Sequence, residues 1–393
     1  MFMVVKSCEK SSEPSMTSRF CSIGAETVRV MLPITKWLWK DEFWFPPGFS
    51  WEDMKETEEI RYPQPCHLLL SIPFTALLLI LRVVFQRTIA LSLGRKMGLK
   101  EKVRKEVSPN AVLEAYYRTH QKQPKERELK GLAKQCDLQP RKVERWFRSR
   151  LKQDQLSLTE KFCEASWMAI FSVITFIMGL AVFYDKSLFW DDREWWTGYP
   201  RQPLLPSTFA YYMLQLSIYC SISITLFFQR KKKFDEQLLH HAVTIFLICY
   251  SYCANYLRIG TLVIFIFECS TFFMALTKVF IYVKWQRTSK TLFILFAIMF
   301  FSCRIVIFPY KVLYNTYYCT MEFVKPFFGY YLINASLMVL QLLSIFWTFL
   351  IFKMMYKLLK FGTMKKDIRS DSEDSKSDKE ETEQKEASTE SCM

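Results

Sequence analysis

The chain has 393 residues, a formal net charge of +15 at pH 7, and a composition that is 51% hydrophobic and 17% aromatic. This length would allow two or three domains, but the composition is too apolar for an ordinary soluble fold. The 12 cysteines include no C-x-x-C pair and most lie in apolar runs, which argues against a disulfide framework or a zinc ribbon.

The first 95 residues divide into a polar part and an apolar part. Residues 1–30 are polar and lack the apolar core of a signal peptide, so we expect a disordered extension there. Residues 31–95 contain the first long apolar run, 66–85, which must then direct membrane insertion itself. Its only formal charge is Arg82, placed near enough to the end of the run to reach the lipid headgroups.

Residues 96–156 predict a small soluble insert of three helices. The expected helices are 110–120, 126–136 and 137–153, with Ser108 and Pro109 ahead of the first and Pro140 near the start of the third. A small core is expected from apolar residues at helical spacing in the third helix, Val143, Trp146 and Phe147. The stretch KVERWFRSR in this helix resembles the recognition helix of a homeodomain.

Sequence-specific DNA binding by this insert is not favoured. A homeodomain reads adenine through a fixed asparagine in that helix, and Ser149 occupies the corresponding position. The segment is also tethered between two apolar runs. Its 19 basic and 9 acidic residues over 95–161 suit anionic lipid headgroups or the phosphates of coenzyme A as readily as nucleic acid.

Six further apolar runs are long enough to cross a bilayer, which takes about 20 residues in a helix. They are 165–184, 202–229, 237–257, 259–278, 291–310 and 326–352, and the only formal charges inside them are Glu268, Arg304 and the terminal Lys278. The prediction is therefore an all-α polytopic membrane protein with about seven transmembrane helices. Basic residues cluster at alternate ends of the runs, which places the N-terminus in the lumen and the C-terminus in the cytosol.

His240 and His241 lie near the start of the run 237–257, in a chain with only four histidines. Ionisable groups inside a span usually face a cavity and often carry function. A lone intramembrane histidine is commonly a hydrogen-bonded packing residue, and Arg304 could simply extend to the surface. Two adjacent histidines point about 100° apart on a helix, so at least one should face the interior. A metal site is not expected, because the nearby spans supply only one acid as a further ligand.

The end of the chain, 359–393, predicts a disordered cytosolic tail. Between 367 and 393 it contains ten acidic and four basic residues and no aromatic residue.

Several stretches together resemble the ceramide synthase family. QLLHHAVTIFLICYSYCANYLRIGTLVIFIF, followed by KVFIY, is similar to that family's Lag1 motif, and RKKKFDEQ resembles its basic lead-in. Further matching stretches are WLWKDEFWFPPGFSWED, the homeodomain-like insert, GYPRQPLLPS, PFFGYYLINASLMVLQLL and DIRSDSE. The resemblance assigns 157–358 to a TLC domain.

Membership would imply a multi-pass enzyme of the endoplasmic reticulum whose helices enclose a long lipid cavity. Such an enzyme transfers a fatty acyl chain from acyl-CoA to the amine of a sphingoid base, with acyl-CoA as substrate and no resident cofactor. His240 would then take the acyl group or act as base, with His241 as its partner. The other expected partners are membrane lipids and a second synthase in a homo- or heterodimer.

The second half of the motif diverges. Where the family has His-Asp followed three residues later by Asp, this chain has Phe267, Glu268 and Thr271. Glu268 would replace its Asp with one extra methylene, whereas Phe267 cannot shuttle a proton and Thr271 cannot hold negative charge. The positions that still match, and are expected to bind substrate, are Asn255, Arg258, Lys278 and Tyr282.

Two hypotheses follow. The first is an acyl-CoA-dependent sphingoid-base N-acyltransferase that uses His240, His241 and Glu268. The second is a catalytically impaired paralogue that binds lipid or modulates active ceramide synthases. Loss of general acid or base assistance typically slows a reaction by roughly 10²- to 10⁴-fold. A loss of this size is compatible with a slow enzyme and with an impaired paralogue.

Overall fold

A computed structural model describes residues 39–55, 60–99, 107–120, 123–154, 156–183, 192–228 and 235–361. All regular structure in these ranges is helical, and we number the helices α1 to α11 in chain order. The predicted N-terminal extension 1–30 and the acidic tail beyond Phe361 lie outside the described residues.

Seven long helices form a bundle that agrees with the predicted runs. They are α2 (Pro65–Lys96), α6 (Leu158–Phe183), α7 (Pro206–Phe228), α8 (Asp235–Cys253), α9 (Leu257–Tyr282), α10 (Gln286–Phe323) and α11 (Phe328–Phe361). A short helix, α1 (Asp41–Trp44), packs against α11 ahead of them. The expected all-α polytopic membrane protein is confirmed.

Within the described residues, six of these seven helices are long and apolar enough to span a membrane. The exception is α8, whose 19 residues begin with Asp235, Glu236 and Gln237 and then include the two histidines. Its polar first turns lower its mean hydropathy, so composition alone does not establish it as a span. The helix nevertheless packs against α7, α9 and α11 as a full member of the bundle.

Helix α9 lies at the centre of the bundle. It packs against α6, α8 and α10. In its most apolar 18-residue stretch 56% of the residues are buried, whereas the share is 22% to 39% in the other five apolar helices. Gly260 permits a close approach to a further helix, α7, because a Cβ there would overlap the hydroxyl of Tyr212. No residue along α9 is exposed.

A left-handed turn joins α8 to α9. Asn255 adopts φ 56° and is completely buried, and its Nδ2 donates to the carbonyl oxygens of Pro200 (2.5 Å) and Gln202 (2.9 Å). Asparagine tolerates this backbone conformation better than most residues. Its side chain thereby fixes the segment before α7 against the α8–α9 turn.

Helix α10 changes its hydrogen-bonding pattern midway. Residues Ser302–Leu313 and Asn315–Cys319 form wider, π-type turns, and Pro309 lies inside the first of them. Proline lacks an amide hydrogen and crowds the preceding turn, which favours such a rearrangement. Arg304 lies in this widened segment.

Arg82 contacts two neighbouring helices, and its reach to the headgroups stays a prediction. Its guanidinium turns inward, where it donates to Thr225 on α7 and lies 3.4 Å from the carboxylate of Glu164 on α6. A half-buried guanidinium is stabilised by hydrogen bonds to a carboxylate and a hydroxyl. The residue joins three helices of the bundle.

The insert contains the three expected helices, α3 (Ala111–His120), α4 (Glu126–Gln135) and α5 (Pro140–Asp154). The first begins slightly later than predicted because the Asn110 side chain accepts hydrogen bonds from the amides of Val112 and Leu113, each 3.1 Å long. The predicted core is confirmed: Val143, Trp146 and Phe147 are buried with residues of α3 and α4. Ser149 is exposed on the outer face of α5.

Candidate active site

A narrow apolar cavity lies between α7, α8, α9, α10 and α11. Aliphatic side chains make most of its wall, among them Leu247, Ile264 and Leu337. A few polar groups interrupt the wall, namely Tyr219, Thr244, Ser251, Tyr256 and Thr316. A lining of this kind suits an alkyl chain with little polar content.

The two histidines lie at one end of this cavity. His240 is buried and one turn before Thr244 of the cavity wall, while His241 is half-buried beside Tyr219, with ring centroids 5.7 Å apart. The Nδ1 atoms of both rings are buried without a hydrogen-bond partner among the described residues. The expectation that at least one histidine faces the interior is confirmed.

Phe267 separates His240 from the cavity. Its ring stacks on the His240 imidazole at 6.1 Å and 14°, and Trp347 of α11 contacts the imidazole edge-on at 5.0 Å. Phe267 lines the cavity, whereas His240 is absent from its wall. The imidazole is thus held between two aromatic rings, with Phe267 on its cavity side.

Glu268 points to the other side of α9. It is buried, and its Oε2 accepts a hydrogen bond of 3.1 Å from Thr175 Oγ1 on α6. It also lies beside Gln215 of α7. Glu268 therefore does not face lipid, but among the described side chains no hydrogen bond or ion pair joins it to His240.

Arg304 fills the space beside Phe267 and Thr271. It is buried, and its guanidinium lies 4.3 Å from the centre of the Phe267 ring and 4.7 Å from that of Phe300. It donates to Ser270 Oγ at 3.0 Å, to the Phe267 carbonyl at 3.2 Å and to Thr271 Oγ1 at 3.3 Å. The idea that Arg304 simply extends to the surface is wrong, because the π-type turn directs it into the bundle.

Two of the expected substrate-binding residues hold the protein's own backbone. Asn255 fixes the segment around Gln202, as described above, and the guanidinium of Arg258 donates to the carbonyl oxygens of Glu194 and Thr197. Both residues thus stabilise the connection between α6 and α7. Their roles in substrate binding stay predictions.

The other two, Lys278 and Tyr282, lie at the opposite end of α9. Arg258 and Lys278 are 20 residues apart on one helix, which corresponds to about 30 Å. Tyr282 packs against the cluster around Phe162 and Ala275. The four residues therefore cannot all contact one head group, and they form two separate pairs.

Comparison with known proteins agrees with this arrangement. A family model described as the TLC domain matches residues 161–353, and a homeodomain model matches 93–154. Ceramide synthase 4 of Homo sapiens is 43% identical over 341 residues, covering 86% of each chain. Ceramide synthase 3 of Homo sapiens is 41% identical over 340 residues, covering 86% of this chain and 88% of that protein. The chain belongs to the ceramide synthase family.

Three helices of this ceramide synthase family member supply residues that the sequence did not single out. Thr175, Tyr211 and Gln215 all lie near Glu268, and Trp347 contacts His240. The sequence offered one signal for these residues. Gln215 lies in a charge-free span, where a polar side chain needs a partner inside the bundle. Which neighbour it meets depends on helix rotation, and the sequence pattern does not specify that.

Proposed function

We propose that this protein is an acyl-CoA-dependent N-acyltransferase that joins a fatty acyl chain to the amine of a sphingoid base. The proposal rests on one observation: a relative 43% identical over most of its length is a ceramide synthase, and the histidine pair of the shared motif is present and buried beside an apolar cavity. The reaction uses acyl-CoA as substrate and needs no resident cofactor.

His240 is the group that moves protons in this proposal. Amide formation breaks the thioester C–S bond, forms a C–N bond and transfers one proton from the amine to the departing CoA sulfur. Imidazole accepts and releases protons near neutral pH and also accepts acyl groups, so His240 suits either route. Its contacts with Phe267 and Trp347 fix the ring, while its Nδ1 has no competing partner among the described residues.

The cavity next to Phe267 would hold the alkyl chain of one substrate. Its aliphatic wall excludes water from the reacting groups, which strengthens every electrostatic interaction at its end. Glu268 is the one buried carboxylate of α9, so it is the group that replaces the first family Asp. Thr175 holds its carboxylate in place.

Membrane insertion follows from the six apolar helices, whereas the compartment and orientation are part of the proposal. We place the protein in the endoplasmic reticulum with its N-terminus in the lumen and its C-terminus in the cytosol. The support is that basic residues lie at one end of the bundle, including Lys96 at the end of α2, Lys161 in α6, Arg287 and Lys290 in α10, and Lys360 in α11.

A test in cells that lack endogenous ceramide synthases separates this function from the impaired paralogue. The cells would express the wild type, His240→Ala, or His120→Ala, and receive labelled sphinganine. We expect labelled ceramide from the wild type and from His120→Ala, whose residue is exposed on the insert, and none from His240→Ala. No product from any of the three proteins would reject the proposed activity, and equal product from all three would reject the role of His240.

A further inference from the structure

The outer face of α5 carries a group of exposed basic side chains. The inner face of this helix is buried in the small core of the insert. Arg141, Lys142 and Arg145 are exposed on the opposite side, together with Ser149. These four positions lie within about 100° of one another, because successive residues of a helix turn by about 100°. We call Arg141, Lys142, Arg145 and Ser149 the α5 outer face.

The acidic residues of α5 do not compensate this charge. Glu144 lies 2.6 Å from the guanidinium of Arg148, and Asp154 pairs with Arg150. In the part of the chain that the structure describes, no ion pair joins a carboxylate to the basic residues of the α5 outer face. Three positive charges therefore point away from the insert. Exposed charges are commonly just solvated, so the partner has to be inferred from where this face lies.

The chain places α5 beside the bilayer. This helix ends at Asp154, and α6, which is long and apolar enough to span a membrane, begins at Leu158. A capping box fixes that beginning: Ser157 Oγ accepts a hydrogen bond of 3.0 Å from the Glu160 amide, and the Ser157 amide donates to Glu160 Oε2 at 2.6 Å. A residue spans at most about 3.6 Å, so the end of α5 lies within about 14 Å of α6.

The other connection of the insert leaves the bundle at the same place. Helix α2 approaches α6 closely near its end, where a Cβ on Gly94 would lie 3.1 Å from the Phe162 ring. Met97 and Leu99, which follow α2, pack against the cluster that contains Phe162. Phe162 is in the first turns of α6. Both connections of the insert are therefore anchored where α6 enters the membrane.

Phosphate groups of anionic lipids fit the α5 outer face. Guanidinium and ammonium groups form charge-assisted hydrogen bonds with phosphate oxygens. Each basic residue near an anionic leaflet strengthens binding by about 5-fold, and this attraction falls off within a Debye length of about 8 Å at physiological salt. It therefore requires a helix that is held at the membrane surface. Ser149 lacks the amide that pairs with adenine, which disfavours a DNA duplex as the partner.

We propose that the α5 outer face docks on anionic phospholipid headgroups of the leaflet in which α2 ends and α6 begins. Its arginine and lysine side chains bind the lipid phosphates, and the insert then lies against the membrane. This interaction is separate from acyl transfer. The proposed orientation makes the leaflet cytosolic, but the docking itself needs only an anionic surface.

Amine labelling of the intact protein tests this contact at Lys142. The full-length wild type is reconstituted in nanodiscs of phosphatidylcholine alone, or of phosphatidylcholine with phosphatidylserine. A short pulse of an uncharged acetylating reagent follows, and mass spectrometry gives the labelling rate of each lysine. Lys130, which is exposed on α4, serves as the internal control.

We expect phosphatidylserine to slow the labelling of Lys142 by about 5-fold or more, because the docked ammonium group is covered. The labelling rate of Lys130 should change by less than about 2-fold. Raising the salt concentration to about 1 M should restore the rate at Lys142, since the Debye length then falls to about 3 Å.

Charge-removing variants show whether this face makes the contact. Arg141→Gln combined with Arg145→Gln should restore fast labelling of Lys142 in the phosphatidylserine discs, because two of the three positive charges are lost. Arg127→Gln combined with Lys134→Gln removes the same net charge from exposed positions of α4 and should keep Lys142 protected.

Equal labelling of Lys142 in the two kinds of nanodisc would overturn the proposal, as would an equal slowing at Lys130. Slow, salt-sensitive labelling in phosphatidylcholine alone would also overturn it, because the face would then be covered by the protein itself, for example by the acidic residues of 367–393. Loss of protection in the α4 double variant would contradict docking through α5. None of these outcomes depends on ceramide formation, so the proposed activity is tested separately.

Discussion

Phe267 is the residue at which this chain departs most from what acid–base chemistry requires. Its ring stacks on His240 and forms part of the cavity wall, so it both orients the imidazole and blocks it. Thr271, one turn later, accepts a hydrogen bond from the buried Arg304 instead of offering a negative charge. We therefore expect the two positions together to limit the rate of a reaction at His240.

Restoring the family residues at both positions should raise activity. In Phe267→His with Thr271→Asp, a second imidazole would exchange protons beside His240, and the new carboxylate would pair with Arg304. We expect ceramide formation to rise by about 10-fold or more, within the range that general acid–base assistance supplies. The measurement is initial rate with labelled sphinganine in purified protein.

The control for this prediction is Phe280→His, the same change 13 residues along α9, about 20 Å away. It should leave the rate unchanged. A double variant that folds but is no faster than the wild type would show that positions 267 and 271 do not limit the reaction.

Part of this site could be predicted from residues alone, and part could not. An adjacent histidine pair and a single carboxylate in charge-free runs stand out against hydrocarbon, so His240 and Glu268 were identifiable. Arg304 was visible too, but its inward direction depends on the π-type turn at Pro309. Thr175, Tyr211 and Gln215 were not identifiable, because the contact of three helices depends on their rotation.

At the scale of elements, the packing of α7 on α9 depends on Gly260. A Cβ at this position would overlap the Tyr212 hydroxyl, which lies 3.2 Å from Ser251 Oγ. Gly260→Ala should therefore destabilise the bundle by about 1–3 kcal/mol, as overpacking of a close contact usually does. The measurement is the thermal unfolding midpoint of the detergent-purified protein.

Two further variants make this prediction specific. Gly260→Ala combined with Tyr212→Phe removes the overlapping oxygen and should recover part of the loss. Gly131→Ala in α4, where a Cβ would meet nothing within 4 Å, should not lower the midpoint. If Gly260→Ala unfolds at the wild-type temperature, the close approach of the two helices is not needed.

The insert has its own stabilising contact, between α3 and α5. Arg150 Nε and Nη2 donate to the two carboxylate oxygens of Glu114 at 2.9 and 3.2 Å, and these hydrogen bonds hold the pKa of Glu114 below its ordinary value. A carboxyl group whose folded pKa is depressed stabilises the fold above its unfolded pKa. That contribution disappears as the pH falls through the folded pKa.

Hydrogen exchange of the full-length protein can test this pH dependence. We expect Glu114→Gln to lower amide protection factors in α3 and α5 at pH 6, and the difference from wild type to shrink as the pH drops below about 4, near the ordinary Glu range. Glu126→Gln, which breaks only an exposed ion pair with Lys130, should have little effect. A difference that grows on acidification would contradict the assignment.

Helix existence was more predictable than helix extent. Each apolar run gave a helix because a bilayer demands about 20 apolar residues and internal hydrogen bonds. Polar or charged residues end an apolar run but do not end a helix. Helix α2 therefore continues past the run 66–85 to Lys96, and α10 continues past the run 291–310 to Phe323. The first helix of the insert, α3, begins after Asn110, whose side chain caps it. The sequence alone did not identify this cap, because Pro109 suggested a start one residue earlier.

For the whole molecule, the proposed orientation predicts where glycans can be added. The sequon at Asn334 should stay unmodified, because this residue is buried in α11 and its amide donates to Thr316 and Tyr330 carbonyls at 3.2 and 2.9 Å. An acceptor sequon inserted after Lys55 should receive a glycan. One inserted after Lys284, between α9 and α10, should not.

Endoglycosidase digestion followed by a gel-shift assay reads out all three sites. The reverse pattern, with a glycan after Lys284 alone, would place the N-terminus in the cytosol. Such a result would also move the basic ends of the bundle to the lumen, against the usual distribution of lysine and arginine.

The most direct measurement of the central claim is ceramide formation by purified, reconstituted wild type and Glu268→Gln, assayed side by side with sphinganine and a series of acyl-CoA lengths. If His240 and the surviving carboxylate carry out acyl transfer, the wild type forms ceramide and Glu268→Gln is slower by about 10²- to 10⁴-fold. A wild type that forms no ceramide with any acyl-CoA, or a variant as fast as wild type, would contradict the account.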